Sequence, residues 1–185
     1  VQAVVGATAR STSNIDDLYQ AFVGRIIALA NTHSLLTEAV WQTASLRELV
    51  EKELSPYYDS TGTRITIEGE AVELPSDAAV PIGMAIHELT TNAAKYGALS
   101  VSTGRISVSW TTEPDVEGQR LRLEWRETGG PKVSRPKRHG FGSRLLNRVL
   151  TSQLSAEVEM DYAPQGLHVV IVTLLKRTET LNPLG

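Results

Sequence analysis

The side chains best suited to chemistry lie together in His87-Glu88-Leu89-Thr90-Thr91-Asn92-Ala93-Ala94-Lys95-Tyr96-Gly97. At about 100° per residue on a helix, Glu88, Asn92 and Lys95 fall within about ±40° of one another, and Ile82, Ile86, Leu89 and Ala93 take the opposite side. A carboxylate, an amide and an ammonium are thus stacked over two turns of a helix whose other face is core. Such a trio suits a metal–phosphate ligand. Asn92 offers a neutral oxygen to Mg2+, Lys95 neutralises a phosphate oxygen, and Glu88 orients a water or takes a proton. The competing reading is a solvated helix face carrying an ion pair at i,i+3 or i,i+4.

Two glycine-rich segments follow. Glu124-Trp125-Arg126-Glu127-Thr128-Gly129-Gly130-Pro131 ends a strand-like run with a carboxylate and two glycines, and Gly140-Phe141-Gly142-Ser143 opens a helix-like one. Glycines let a backbone approach a ligand closely, and the N–H groups of a helix start favour an anion. Arg144 and Arg148 are spaced i,i+4, and Lys132, Arg135, Lys137, Arg138 and His139 crowd the connecting loop. The chain as a whole carries a formal charge of -3, so this basic cluster is local. Only Phe141 lies near it as a stacking aromatic, which favours a polyphosphate over nucleic acid. Taken singly, each glycine pattern also fits an ordinary turn.

The elements that must position these groups follow from periodicity. Val1, Val4, Val5 and Thr8, then Leu18, Phe22, Ile26, Leu29, Leu36 and Val40, describe two amphipathic helices that fit an antiparallel hairpin. Leu46, Leu49, Val50 and Leu54 mark a third helix ending near Pro56. Arg64–Gly69 alternates as a strand, and a long helix runs from Leu74-Pro75 to Gly97. Strand-like segments at Arg105–Thr111, Arg120–Trp125, Ala156–Tyr162 and Leu167–Leu175 are interrupted by a helix from about Gly142 to Leu154. This order predicts an α+β fold, a two-layer sandwich with helices on one face of a mixed, mostly antiparallel sheet. The predicted division is a partial hairpin over 1–40 and a catalytic domain over 41–185. A 185-residue chain with 41% hydrophobic residues can bury a core without staples, and zero cysteines exclude thiolate metal sites and Cys nucleophiles. No apolar run reaches the ~18 residues of a membrane span.

In combination and in this order, the motifs resemble the ATP-binding domain shared by gyrase, Hsp90, histidine kinases and MutL. His87 with Trp125-Arg126-Glu127 is similar to the pattern of the HWE family of bacterial sensor histidine kinases. His-Glu-Leu-Thr-Thr-Asn-Ala-Ala-Lys-Tyr-Gly, Trp-Arg-Glu-Thr-Gly-Gly-Pro and Gly-Phe-Gly-Ser-Arg-Leu-Leu follow that family's three blocks.

The resemblance implies roles position by position. Asn92 would hold Mg2+ on the phosphates of ATP, with Glu88 as a metal-water ligand or base and Lys95 on phosphate. Glu127 would accept a hydrogen bond from the adenine amino group. Tyr96, Gly129 and Gly130 would border the nucleotide, and Gly140, Phe141, Gly142, Ser143 and Arg144 would cradle phosphates. Residues Pro131–His139 would form a short lid, and Thr173 would close the site. His87 would either order the surroundings of Glu88 or pack on a neighbour, and Trp125 would either pack behind adenine or touch it.

The phosphate acceptor is a separate matter. His33 lies on the apolar face of the second helix, between Leu29 and Leu36, and reads as an interfacial histidine. The resemblance instead implies an acceptor in a His-Arg-X-Lys-Asn block just upstream of a segment like Val1-Gln2-Ala3. The implied protein is a cytoplasmic sensor kinase core with a sensor domain upstream in the same chain. It would have a response regulator as partner and a homodimer contact through the hairpin. A conformational ATPase in which Glu88 activates water, and an ATP-binding scaffold without turnover, are the alternatives.

Overall fold

The computed structural model describes residues 43–59, 62–133 and 150–176. The hairpin predicted over 1–40, with His33, lies outside these residues, as do the Gly140–Arg144 block and residues 134–139 of the proposed lid.

The chain enters through β1 (Thr43–Ser45), a three-residue strand that pairs antiparallel with β3 (Glu73–Pro75). Ala44 and Leu74 face each other there, both fully buried. This small clasp was not expected, because strands so short carry no periodic signal. Ser45 then caps α1 (Leu46–Leu54), its hydroxyl accepting the Glu48 N–H. Leu46, Leu49, Val50 and Leu54 form the buried stripe of that helix, as their spacing predicts. A strand, β2 (Ile65–Gly69), lies in sequence between the two strands of the clasp.

The long helix α2 (Ser76–Lys95) starts behind Pro75, with Asp77 in its first turn and Lys95 in its last, both complementing the helix dipole. Pro81 lies inside it, where the missing N–H leaves one backbone hydrogen bond unmade. Ile82, Ile86, Leu89 and Ala93 are buried. Removing one such side chain, as in Ile86→Ala, typically costs about 2–5 kcal/mol.

The sheet has the order β2-β4-β5-β7-β6, with β4 (Arg105–Asp115), β5 (Gly118–Thr128), β6 (Glu157–Ala163) and β7 (Gly166–Lys176). Only β2 and β4 run parallel; the other pairs are antiparallel. The mixed, mostly antiparallel sheet and the α+β class are as the sequence predicts. The β4–β5 hairpin is longer than its apolar alternation, because the charged ends through Asp115 and from Gly118 still pair, Asp115 with Gly118. Ile106, Val108, Trp110, Leu121, Leu123, Trp125, Val169 and Ile171 form one face of the core, against the stripes of α1 and α2. Of the predicted 142–154 helix, residues 150–154 are described and helical, with Leu150 fully buried.

Candidate functional site

The end of α2 carries the stripe seen in the sequence. Asn92 Nδ2 donates to Glu88 Oε1 at 3.3 Å, one turn away, and both side chains are half-buried. With its N–H2 group so engaged, the Asn92 amide presents its oxygen as the atom able to meet a cation. Lys95 is exposed on the same stripe. Tyr96 caps the helix and is 75% exposed.

The Asn92 carbonyl accepts the N–H groups of Tyr96 (2.8 Å) and Gly97 (3.1 Å), which ends the helix and turns the chain toward β5. Glu127 waits there on the core face of the sheet, only 4% exposed. Its Oε2 accepts the Ala98 N–H at 2.8 Å, and its Oε1 accepts the indole N–H of Trp125 at 3.2 Å. Burial pushes the Glu127 carboxyl above the ordinary carboxylate value, and these two donors pull it part of the way back. Each oxygen keeps lone-pair capacity for a further donor.

Glycine makes this contact possible. A methyl group at Gly97 would overlap the Glu127 carboxylate, so only glycine lets the helix end and the strand end meet. Gly129, with φ +66, turns the chain directly after β5 and receives a 2.8 Å hydrogen bond from the Thr103 hydroxyl on its carbonyl. Gly130 lies against Gly97 and Ala98. Arg64 completes the support: its guanidinium donates to the carbonyls of Leu99, Val101 and Gly104 at 3.3, 2.8 and 3.3 Å, pinning the loop that leaves α2. Nothing in the sequence singles out Arg64, since an arginine before a strand carries no signal of three carbonyls gathered from 35 to 40 residues away.

The structure thus joins Glu88, Asn92 and Lys95, through Gly97 and Ala98, to Glu127, Gly129 and Gly130. His87 departs from this group. Its Nδ1 lies 2.8 Å from Glu53 Oε2 on α1, so it meets a neighbouring helix. Trp125 is 2% exposed and acts on Glu127 through its indole N–H. Thr173 is not brought to the site. It pairs with Leu121, six residues along β5 from Glu127, which is about 20 Å of strand. Its buried hydroxyl donates to the Leu154 carbonyl at 3.0 Å. Of the predicted lid, residues 131–133 are described, and they continue directly from Gly130. Among the described residues no three His, Cys, Asp or Glu side chains converge on a cation position. Mg2+ does not require such a cage, because it is commonly held by one or two protein oxygens together with phosphates and water.

The family model described as HWE histidine kinase matches residues 1–71. The blue-light-activated histidine kinase of Brucella anthropi is 34% identical over 183 residues, 99% of this chain and 37% of that protein. That of Brucella ovis is 32% identical over 172 residues, 93% of this chain and 35% of its own length. The chain therefore spans little more than a third of these curated relatives. Among solved structures, the Erythrobacter litoralis blue-light activated histidine kinase superposes with a TM-score of 0.67 at 17% identity, covering 97% of this chain and 59% of that one. The histidine kinase domain of the E. coli osmosensor EnvZ gives 0.51 at 18% identity, over 78% of this chain and 94% of that domain. At such identities the superpositions speak for the fold alone. The family model over residues 1–71 and the 34% identity to the Brucella anthropi kinase over 99% of this chain carry the assignment further: the chain belongs to the HWE histidine kinase family.

Proposed function

We propose that this chain is the ATP-binding core of a protein histidine kinase. The observation that carries the reading is the join between Glu127 and the end of α2, a buried carboxylate 2.8 Å from the Ala98 N–H. On this reading Glu127 is the adenine acceptor, joined through Ala98 and Gly97 to the helix stripe that faces phosphate. Glu127 accepts the exocyclic N–H2 of adenine, beside Gly129 and Gly130. Asn92 offers its amide oxygen to Mg2+, Lys95 meets phosphate oxygen, and Glu88 holds a water or receives a proton. Bound Mg2+ supplies neutralisation of phosphate charge.

The protein's share of phosphoryl transfer is positioning and electrostatics. The γ-phosphorus–oxygen bond to ADP breaks as a phosphorus–nitrogen bond forms on an acceptor imidazole, whose proton Glu88 is placed to take. The acceptor belongs to a block upstream of residue 1, and the phosphoryl group then moves to an aspartate of a response regulator. A sensor domain ahead of the core and a homodimer contact through the 1–40 hairpin complete the proposed assembly. No helix among the described residues is long and apolar enough to cross a membrane.

The test is incubation of the full-length protein with γ-labelled ATP. Acid-labile, alkali-stable phosphate is expected. Asn92→Ala should lose at least about a hundredfold of the labelling rate while keeping the far-ultraviolet circular dichroism of the parent. Undiminished labelling in that variant would remove the metal role from Asn92.

A further inference from the structure

The contact between Glu53 and His87 belongs to neither the core nor the stripe. It joins α1 to α2 across 34 residues of sequence, with side-chain exposures of 11% for Glu53 and 21% for His87. A carboxylate only accepts hydrogen bonds, so Nδ1 of His87 carries the proton in this 2.8 Å contact. In the neutral ring Nε2 is then bare. The imidazole is fixed in one tautomer and one orientation, in the position directly before Glu88. A carboxylate behind an imidazole serves the same purpose in metal sites and catalytic dyads, where it sets which nitrogen faces the reaction.

We infer that Glu53 is a positioning residue for the phosphoryl-transfer centre: it holds His87 as the Nδ1–H tautomer and braces the turn of α2 that carries Glu88. Glu53 touches neither nucleotide nor reacting atoms; it acts through His87. The inference rests on the reading of α2 as a Mg-ATP site. Aliphatic packing alone could hold α1 on α2, as Leu49, Val50 and Ile86 do. A paired carboxylate and imidazole at the edge of that packing adds direction, which apolar contacts do not supply.

The experiment uses the full-length protein with Glu53→Gln and Glu53→Ala. Glu53→Ala is expected to slow autophosphorylation at saturating ATP about tenfold, with KM for ATP within about twofold of the parent. Glu53→Gln, whose amide oxygen still accepts the Nδ1–H, is expected to recover at least about half of the rate. Nitrogen-15 spectra of the histidine side chains at one fixed pH, with His87→Gln to identify the resonance, should show the Nδ1–H form in the parent and in Glu53→Gln. The single tautomer should be lost in Glu53→Ala. A parent His87 in the Nε2–H form, a parental rate in Glu53→Ala, or equal losses in Glu53→Gln and Glu53→Ala would each overturn the inference. Should Glu53→Ala fail to fold, the parent tautomer and the Glu53→Gln rate decide it. Calorimetric titration of the parent with Mg-ATP separates the two readings: absence of binding removes the ATP site, whereas the tautomer reports on the Glu53–His87 pair regardless.

Discussion

Glu124 and Glu127 stand three residues apart on β5, and the pleat sends them to opposite faces of the sheet. Glu124 lies on the open face among Arg122, Arg126 and His168, with Oε2 3.1 Å from His168 Nε2 and Oε1 2.9 Å from Arg122. The His168 hydrogen bond, helped by Arg122, draws its carboxyl below the ordinary value. Glu127 lies on the core face with no cationic hydrogen-bond partner among the described residues, and burial draws its carboxyl up. The same side chain is therefore an ion-paired carboxylate on one face and a buried carboxylate held by two neutral donors on the other. Charge partners quieten a carboxylate. Burial with only neutral donors leaves it with unspent accepting power, which is what recognition of a neutral N–H2 group requires.

The largest break in this comparison should come from truncating each carboxylate in turn. Glu127→Ala is expected to weaken ATP about 10- to 100-fold, in line with loss of a hydrogen bond to a charged group. It should weaken a purine nucleotide lacking the amino group much less. Glu124→Ala should leave both affinities within about twofold, since exposed ion pairs contribute little. Equal losses for the two nucleotides in Glu127→Ala would remove the adenine contact.

A smaller effect should follow from Gly97→Ala, which drives a methyl group into the Glu127 carboxylate. Overpacking of this kind costs about 1–3 kcal/mol. Thermal unfolding should record that loss together with weaker ATP binding, while Ser102→Ala, on an exposed residue of the same loop, should record neither.

The smallest and most diagnostic effect is in the pH dependence of stability. Glu127 has a folded value above the ordinary 4.5, so the fold binds its proton more tightly than the unfolded chain does. Its contribution is full below 4.5 and is lost as pH rises through the raised value. Glu124 has a folded value below 4.5, so its contribution is present above 4.5 and is lost as pH falls through the lowered value. Melting curves between about pH 3 and pH 8 should show Glu127→Gln flattening the decline on the alkaline side and Glu124→Gln flattening the loss on the acid side. Changes of the same sign in both variants would contradict the division of the two faces.

Much of this is legible in the sequence because it is periodic. The spacing of Ile82, Ile86, Leu89 and Ala93 against Glu88, Asn92 and Lys95 places a polar stripe on a buried helix, and alternation along Arg105–Thr111 and Arg120–Trp125 exposes the central strands. Contacts across long stretches of chain leave no such trace. Glu53 reads as one more charge on an amphipathic helix, and its meeting with His87 is set by how α1 and α2 pack. Arg64 and the β1–β3 clasp are invisible for the same reason. Thr173 misleads in the opposite direction: a threonine on the last strand fits the motif order, yet antiparallel register with β5 carries it to the end of the sheet away from Glu127.

The clasp also makes α2 a lever. The chain grips it at Ser76, while Asn92 sits 16 residues on, about 24 Å away at 1.5 Å per residue. A tilt of only about 2° at the gripped end would sweep Asn92 through about 0.8 Å, more than the distance window of a good hydrogen bond. The brace at His87 divides that arm, leaving about 8 Å beyond the fulcrum, so the same tilt about His87 displaces Asn92 by about 0.3 Å. In such a tilt, one hydrogen bond between two helices would set the gearing between the clasped start of α2 and the residue that would hold the metal.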